Sequence, residues 1–330
     1  MKIFGKDLNK DILVVGEIGL NHEGKLKEAI KLINLAAKCG LDAIKFQLYN
    51  PEKYESRDNI KRFRRLKKFN LSDKDYLFLK KKAQEKKIKV LATPLTEDKV
   101  NLASSLSEVV KVASGDINFF PTLEKIIKKR RKIILSTGNA TLREIDQAVK
   151  FIKKKKKKIS NSLAILHCVS SYPTQIEKSN VQKISFLKKR FPNITIGYSN
   201  HCCEKEAVLS ATTLGASIIE IHITNNKKNK KFRDHHLSFD KSNLKDLMKS
   251  IKLTHKSIKN FNKNPDKIQL QTLNLMRKGI IASKEIKKGD KYGYDNLQFA
   301  RPVHKFQFNE IKKLIGKKSN KNFKAGFTIK

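Results

Sequence analysis

The chain has 330 residues, of which 39% are hydrophobic, and a formal net charge of +42. A chain of this length can bury a large core, and one large domain with a smaller one is the expected organisation. No apolar run approaches the roughly 18 residues that a membrane span needs. The N-terminus carries charges where a signal peptide has its apolar stretch, so we expect a cytoplasmic protein.

The excess of basic residues raises the alternative of a nucleic-acid-binding protein. However, the lysines are spread over nearly every predicted helix, and the chain has no Trp and no interleaving of basic with aromatic residues that would stack on bases. We therefore expect a solvated basic surface that attracts anionic substrates, with neither a nucleic acid nor a membrane as partner.

Short β-branched runs alternate with amphipathic helical segments over the first 260 residues. A helix is predicted, for example, over 26–40, where the apolar face ends at Gly40. The β-type runs cover residues 12–19, 42–49, 88–95, 109–116, 132–139, 163–171, 194–200 and 217–224. Eight such units predict an α/β fold, a (β/α)8 TIM barrel over residues 1–262. A doubly wound open sheet is the alternative, but no glycine fingerprint follows the first run.

The pattern changes after the barrel. Residues 263–275 begin with a polar stretch that contains Pro265, which predicts a linker. Residues 276–330 have short strands, turn glycines and one short helix, which indicates a small α+β domain.

Polar side chains gather where the predicted strands end. In a barrel of this type the active site lies at the carboxyl ends of the strands. The strand-end residues are Glu17, Lys45, Gln47, Thr93, Lys111, Ser114, Asp116, Ser136, Ser170, Ser199, His201, Glu220 and His222.

Two of these residues, His201 and His222, follow neighbouring strands and are expected to project into one mouth. Two neutral imidazoles that leave positions open for water and substrate suit a catalytic divalent cation. We expect Mn²⁺, with Mg²⁺ or Co²⁺ as alternatives. The competing interpretation makes each a core histidine satisfied by hydrogen bonds.

Lysines and hydroxyls converge at the same rim. Lys45 and Lys111, with the hydroxyls of Thr93, Ser114 and Ser136, are the residue types that bind a phosphate together with a carboxylate. An ion pair with Glu17 or Asp116 would explain one buried lysine, but not two lysines beside so many hydroxyls.

The strand-end motifs resemble, in order, those of the sialic acid synthase family: EIGLNHEG, AIKFQLY, ATPL, KVASGD, ILSTGNATL, LHCVSSYP, GYSNH and EIHIT. The tail sequence ASKEIKKGDKYGYDNLQFARP is similar to the antifreeze-like domain of that family. The resemblance runs from about residue 10 to the end. It implies a (β/α)8 barrel that condenses phosphoenolpyruvate with an N-acylated amino sugar to a nonulosonic acid, and that works as a domain-swapped homodimer.

The resemblance also implies roles for single residues. His201 and His222 match the metal ligands, and Arg301 matches an arginine that the tail domain of the partner subunit contributes to the sugar site. Positions around phosphoenolpyruvate are matched by Lys45, Thr93, Lys111, Ser114, Ser136, Ser199 and, near the phosphate, Ser170. Positions around the sugar are matched by Glu17, Gln47, Asp116, Tyr172 and Asp234. The candidate catalytic carboxylates are Glu17, Asp116 and Glu220.

Several residues depart from the family pattern. Asn200 stands where Asp is common, which removes a carboxylate that could support His201. Asp116 stands where many members have Glu, and Ser170 stands at a position that commonly carries an amide. Phe232 and Arg233 replace Gly-Pro, and residues 303–305 replace the glycines of the Arg-Pro-Gly-x-Gly loop. These changes cluster around the sugar, so the acceptor stays open: N-acetylmannosamine, a bacillosamine-derived sugar or an unusual hexose.

Two further alternatives remain. A Schiff-base aldolase on the same barrel would use Lys45 or Lys111 as the nucleophile. The second alternative is a member of the family whose activity is redirected or reduced.

Overall fold

The computed structural model describes residues 1–156, 159–259 and 262–330. They form two compact units, Met1–Lys259 and Asn260–Lys330. None of the helices in the described ranges combines the length and the hydrophobicity that crossing a lipid bilayer requires.

The first unit begins with a short hairpin, β1 (Lys2–Ile3) paired with β2 (Lys6–Asp7). Eight parallel strands then close into a barrel in which the last strand pairs with the first. They are β3 (Leu13–Gly19), β4 (Ala43–Leu48), β5 (Lys89–Pro94), β6 (Val109–Val112), β7 (Lys132–Ser136), β8 (Leu163–Cys168), β9 (Thr195–Asn200) and β10 (Ile218–His222). The TIM barrel predicted from the sequence is confirmed.

The helices surround the barrel and bury one apolar face each. The first helix buries Leu32, Ile33 and Ala36. It ends at Gly40, which adopts the left-handed conformation with φ 76°. The helices of this unit are α1 (Leu26–Cys39), α2 (Pro51–Tyr54), α3 (Ile60–Phe69), α4 (Asp73–Glu85), α5 (Val100–Leu106), α6 (Phe120–Lys128), α7 (Leu142–Lys155), α8 (Lys183–Arg190), α9 (Lys205–Thr213), α10 (Asp234–Leu237) and α11 (Leu244–Lys259).

The inward-facing residues of the strands change character along the barrel axis. Near the strand starts they are apolar, and they pack with Met1, Ile3 and Leu8 of the N-terminal segment into one cluster. Because side chains alternate with period two, each apolar inward residue is followed two positions later by another inward residue. On β3 the series runs from Leu13 through Val15 to a buried Glu17. The amino end of the barrel is therefore a packed core, and the carboxyl end is polar.

The second unit contains α12 (Lys267–Met276), the antiparallel pair β11 (Gly279–Ala282) and β12 (Leu297–Ala300), and a 3₁₀ helix at Phe308–Lys313. A separate apolar cluster that includes Ile280 and Phe323 forms its core. The segment 263–275, expected to be a linker, is mostly helical, because Asp266 caps the first turn of α12 by accepting a hydrogen bond from the Gln269 N–H.

Candidate active site

A cavity of about 240 Å³ opens at the carboxyl end of the barrel. Of the fifteen site residues predicted in the barrel, fourteen line it: Glu17, Lys45, Gln47, Lys111, Ser114, Asp116, Ser136, Ser170, Tyr172, Ser199, His201, Glu220, His222 and Asp234. The structure thus gathers residues spread over more than 200 positions, because parallel strands bring their carboxyl ends to the same edge.

Two predicted residues are placed differently. Thr93 does not line the cavity, because its side chain is covered (1% exposed), and its hydroxyl has no hydrogen-bond partner among the described residues. Arg301 lies in the second unit, directly after β12, and is exposed.

The floor of the cavity is a buried network of two lysines and two carboxylates. Lys45 Nζ forms ion pairs with Glu17 Oε2 and, at 3.1 Å, with Glu220 Oε1. Lys111 Nζ lies 3.5 Å from the same Glu220 oxygen, and the Ser199 hydroxyl donates to it at 2.9 Å. The Lys45–Glu17 pair considered from the sequence is present, but Glu220, rather than Asp116, joins the two lysines.

This network shifts the pKa values of its members. Burial alone would raise the pKa of Glu220, but Lys111 and Lys45 hold it well below its usual range. Burial lowers the pKa of Lys45 to about 7, although Glu220 acts in the opposite direction. One carboxylate therefore serves two lysines and stays ionised.

Hydroxyls form a second wall beside Lys111. The Gly138 N–H donates to Ser114 Oγ at 3.0 Å, and a Cβ on Gly138 would lie 2.2 Å from Ser170 Oγ and 2.9 Å from Ser114 Oγ. Glycine is thus required for these hydroxyls to approach the backbone. Ser136 Oγ is buried and has no partner in the described part of the chain. Such a cradle of hydroxyls beside an ammonium group suits an anion.

His201 and His222 face one another, with ring centroids 5.4 Å apart. The Val169 carbonyl oxygen lies 2.6 Å from His201 Nδ1 and can only accept, so Nδ1 carries the proton and Nε2 is left as a ligand atom. His222 Nδ1 is buried without a hydrogen-bond partner in the described chain and lies 4.0 Å from Asp234 Oδ2.

The electrostatics of the two rings differ. Burial lowers the pKa of His222 well below its usual value, so this imidazole is neutral. Burial would also lower the pKa of His201, but Cys168 beside the ring raises it.

His201 and His222 offer a metal ion only a few protein ligand atoms. Within the described residues, no group of three or more His, Cys, Asp or Glu side chains is close enough to hold a metal ion by itself. The orphaned nitrogen of His222 and the free Nε2 of His201 nevertheless fit a divalent cation with two protein ligands, in which water and substrate fill the other positions.

Residues assigned to the sugar surround the histidines. The Tyr172 ring lies over His201, with ring centroids 4.0 Å apart, and Gln47 Nε2 donates to Glu17 Oε1 at 3.4 Å. Burial raises the pKa of Asp116 to about 6, although Lys111 opposes the shift. Burial likewise raises the pKa of Asp234. Asp116 is therefore a carboxyl that can gain or lose a proton near neutral pH.

Asn200 binds the neighbouring backbone rather than the His201 ring, in keeping with the expected loss of a supporting carboxylate at this position. Its side chain does not support His201: Oδ1 accepts from the Cys202 N–H at 3.2 Å and from the Tyr198 hydroxyl at 3.1 Å, while Nδ2 donates to the Cys202 carbonyl at 2.8 Å. The reason is the strand period, which directs Ser199 and His201 inward and Asn200 outward. Asn200 therefore holds the backbone on one side of His201.

Sequence reasoning missed the part of the wall that α2 and α3 supply. Arg62 and Arg65 lie one turn apart on α3, and both line the cavity, as does Tyr54 of α2. Cys168, at the end of β8, also lines the cavity and was not predicted. The arginines follow no strand, so the strand-end rule could not find them. The available signal was a cluster of arginines in a chain whose basic residues are mostly lysines.

Comparisons with known proteins agree with the fold. A model of the NeuB family matches residues 32–263, and a model of the SAF domain matches residues 277–330. The crystal structure of N-acetylneuraminic acid (sialic acid) synthetase from Leptospira borgpetersenii, in complex with citrate, has a TM-score of 0.75 and 33% sequence identity, covering 80% of this chain and 90% of that one.

Named relatives are similar over most of their length. N,N'-diacetyllegionaminic acid synthase of Campylobacter jejuni is 34% identical, over 97% of this chain and 99% of the relative. Human N-acetylneuraminate-9-phosphate synthase is 30% identical, over 92% of this chain and 88% of the relative. The resemblance stated from the motifs is confirmed: this chain is an enzyme of the NeuB family of sugar-acid synthases and carries a C-terminal SAF, or antifreeze-like, domain.

Proposed function

We propose that the protein condenses phosphoenolpyruvate with an N-acylated amino sugar, N-acetylmannosamine or a related hexosamine, to give a nonulosonic acid and phosphate. The observation that supports this most directly is the cavity itself: the lysine pair, the hydroxyl cradle and two facing histidines meet at the carboxyl end of one barrel. The lysines and hydroxyls supply positive charge and hydrogen-bond donors for an anion, and the histidines supply ligands for a cation.

Phosphoenolpyruvate would bind against Lys45 and Lys111, with its phosphate towards Ser114, Ser136 and Ser170. Both lysines are at most 4% exposed, so their charges act in a medium of low dielectric constant and interact strongly with an anion. The bound anion would compete with Glu220 for both ammonium groups. A positive surface over the whole protein raises the rate of encounter with this substrate.

His201 and His222 would hold a divalent cation, with Mn²⁺ the expected metal. Such a cation supplies Lewis acidity to the aldehyde oxygen of the open-chain sugar. The Val169 carbonyl orients His201 by accepting a hydrogen bond from its Nδ1–H, and Tyr172 covers one face of that ring. These contacts fix the direction of the ligand atom before any substrate is bound.

The reaction forms one bond between carbon 3 of phosphoenolpyruvate and the aldehyde carbon, and the aldehyde oxygen takes up a proton. Water adds at carbon 2 and gives up one proton, which leaves a hydroxyl on that carbon. The bond from carbon 2 to the phosphate oxygen then breaks, the hydroxyl loses its proton to the departing phosphate, and the product is a 2-keto acid. Asp116 is the carboxyl to which we assign proton exchange, because its pKa is raised to about 6. Glu17 and Glu220 are engaged by lysines.

The second unit is proposed to complete the site of another copy in a domain-swapped homodimer, where Arg301 would contact the sugar. Support comes from α12, on which four large apolar side chains are more than half exposed: Ile268, Leu270, Leu275 and Met276. Large apolar side chains this exposed on one short helix indicate a partner surface.

A Schiff-base aldolase is the second candidate, and one observation favours it. With a pKa lowered to about 7, Lys45 has a neutral amine available near neutral pH, as a nucleophilic lysine requires. Against it, Glu17 and Glu220 both contact this amine and favour its ammonium form.

The deciding experiment measures phosphate release from phosphoenolpyruvate with Mn²⁺ across a panel of N-acyl hexosamines, with and without EDTA. Release that requires both a sugar and the metal supports the proposed synthase. Irreversible labelling of Lys45 by pyruvate and borohydride, with turnover unaffected by EDTA, would instead establish the aldolase.

A further inference from the structure

Three arginines form the outer rim of the cavity, and we refer to Arg62, Arg65 and Arg233 as the arginine rim. Arginine is rare in this chain: 11 of the 73 basic residues are Arg and the others are Lys. General enrichment in basic residues therefore explains lysines at the surface, but not three guanidinium groups at one cavity. A planar fork of N–H donors, which lysine lacks, is the property that distinguishes these positions.

Each guanidinium of the arginine rim lies against an aromatic ring. The carbon-to-centroid distances are 5.6 Å for Arg62 over Tyr54, 5.6 Å for Arg65 over Phe232 and 4.4 Å for Arg233 over Tyr172. Stacking on a ring limits the rotation of the side chain and leaves the N–H edges of the guanidinium for another group. Phe232 is itself held edge-on by Phe69, with centroids 5.7 Å apart.

The arginine rim is incompletely neutralised. Arg62 pairs with Glu55 at 3.1 Å, and Arg233 Nε lies 3.4 Å from Asp234 Oδ1. Arg65 forms no ion pair within the described residues. Arg65 lies over the Phe232 ring, Arg233 follows Phe232 in the chain, and residues 232–233 replace the Gly-Pro of the family pattern. The departure from that pattern therefore builds both a fixed ring and a donor group.

The arginine rim lies closer to the solvent than the two histidines at the reacting end of the cavity. His201 and His222 are 5% exposed, whereas the Arg233 side chain is 65% exposed. Tyr172 lies between the two levels, stacked under Arg233 and over His201. A sugar whose aldehyde reaches the histidines would extend its other end towards the arginine rim.

We propose that the acceptor sugar carries a phosphate monoester at the end remote from its aldehyde, and that the arginine rim binds this phosphate. Guanidinium groups bind phosphate oxygens through two parallel N–H···O bonds, and aromatic stacking fixes the fork in advance. The inference rests on the proposed function for its orientation of the sugar, and it names the class of acceptor: an N-acyl hexosamine 6-phosphate.

The test compares N-acetylmannosamine with its 6-phosphate in two assays. Calorimetry measures binding of each sugar to the full-length protein, and phosphate release from phosphoenolpyruvate measures turnover. Arg65→Gln should weaken binding of the 6-phosphate by roughly 10- to 100-fold, as expected for one lost charge-assisted bond pair. Arg65→Lys keeps the charge without the fork and should recover only part of the affinity. Arg64→Gln is the matched control, because Arg64 is exposed on the same helix and does not line the cavity.

Several results would overturn the inference: equal or tighter binding of the unphosphorylated sugar, an equal effect of Arg65→Gln on both sugars, or the same loss in Arg64→Gln. The proposed function fails separately, if no sugar supports phosphate release. Binding of the 6-phosphate that depends on Arg65 would then still support the arginine rim, since calorimetry requires no turnover.

Discussion

One side chain, that of Asn200, binds both backbone groups of Cys202: it accepts from the N–H at 3.2 Å and donates to the carbonyl oxygen at 2.8 Å. His201 lies between these two residues, and its own carbonyl accepts from the Thr174 N–H at 2.9 Å. The backbone that carries one candidate metal ligand is thus restrained on both sides.

We expect Asn200→Asp to reduce the free energy of unfolding by about 1–3 kcal/mol, because a carboxylate cannot donate to the Cys202 carbonyl and leaves this buried group unpaired. Mn²⁺ affinity should fall as well, since His201 is less restrained. Chemical denaturation and metal calorimetry measure the two effects. Asn193→Asp, at an exposed position before β9, is the control. Wild-type stability in Asn200→Asp would contradict this role.

His222→Ala should abolish Mn²⁺ binding measured by calorimetry while the circular dichroism spectrum is retained. The buried Nδ1 of His222 has no partner in the described chain, so its removal breaks no hydrogen bond there. His255→Ala, at a half-buried position on α11 outside the cavity, should bind Mn²⁺ like the wild type. Undiminished affinity in His222→Ala would refute the metal site.

Gly138→Ala should weaken phosphoenolpyruvate binding by roughly tenfold, or about 1.4 kcal/mol. The added Cβ would lie 2.2 Å from Ser170 Oγ, so the hydroxyl cradle must open. Calorimetry with phosphoenolpyruvate gives the affinity. In a Ser170→Ala background the same substitution should cost less, because the clashing hydroxyl is gone. Additive effects of the two substitutions would argue against the cradle.

Asp116 makes stability depend on pH. Its pKa is about 6 in the folded protein and about 3.8 in the unfolded chain, so between these values only the folded state keeps the proton. Stability from this group is complete below pH 4 and falls as the pH rises through 6. Compared with that of Asp116→Asn, the free energy of unfolding of the wild type should fall by at most about 2 kcal/mol between pH 4 and pH 6. This value is reduced for partial solvent screening of the carboxylate. Denaturation at pH 4, 5, 6 and 7 measures it; a constant difference between the two proteins would exclude the shifted pKa.

Arg301→Ala should raise the KM for the sugar by roughly 10- to 100-fold, corresponding to one lost charged hydrogen bond. The KM for phosphoenolpyruvate should stay unchanged, because the arginine is proposed to contact the sugar alone. Steady-state kinetics with each substrate varied separately distinguishes the two. Arg277→Ala, also exposed in the second unit, is the matched variant. An increase confined to the KM for phosphoenolpyruvate would show that Arg301 does not contact the sugar.

The alternation of side chains along each strand was readable from the sequence, and with it the inward direction of Lys45, Ser199, His201 and His222. A period of two is a local property of the backbone, so it needs no knowledge of neighbouring strands. The same property predicts that Asn200 points away from His201, although the family pattern alone suggested support for that histidine. The order of strands and helices likewise followed from local periodicity, and the barrel from the number of units.

Distances across the barrel were decided only by the tertiary structure. Lys45 and Glu220 meet because β10 closes against β3, and no local rule states which carboxylate a lysine on β4 will reach. The arginine rim arises from the packing of α3 beside the strand ends, where Phe69 contacts Phe232 more than 160 positions along the chain. The sequence by itself determined which residues face the barrel axis, because that depends on backbone geometry within a few residues. Which charges pair, and which helix completes the cavity, depended on closure of the barrel, which couples segments far apart in the chain.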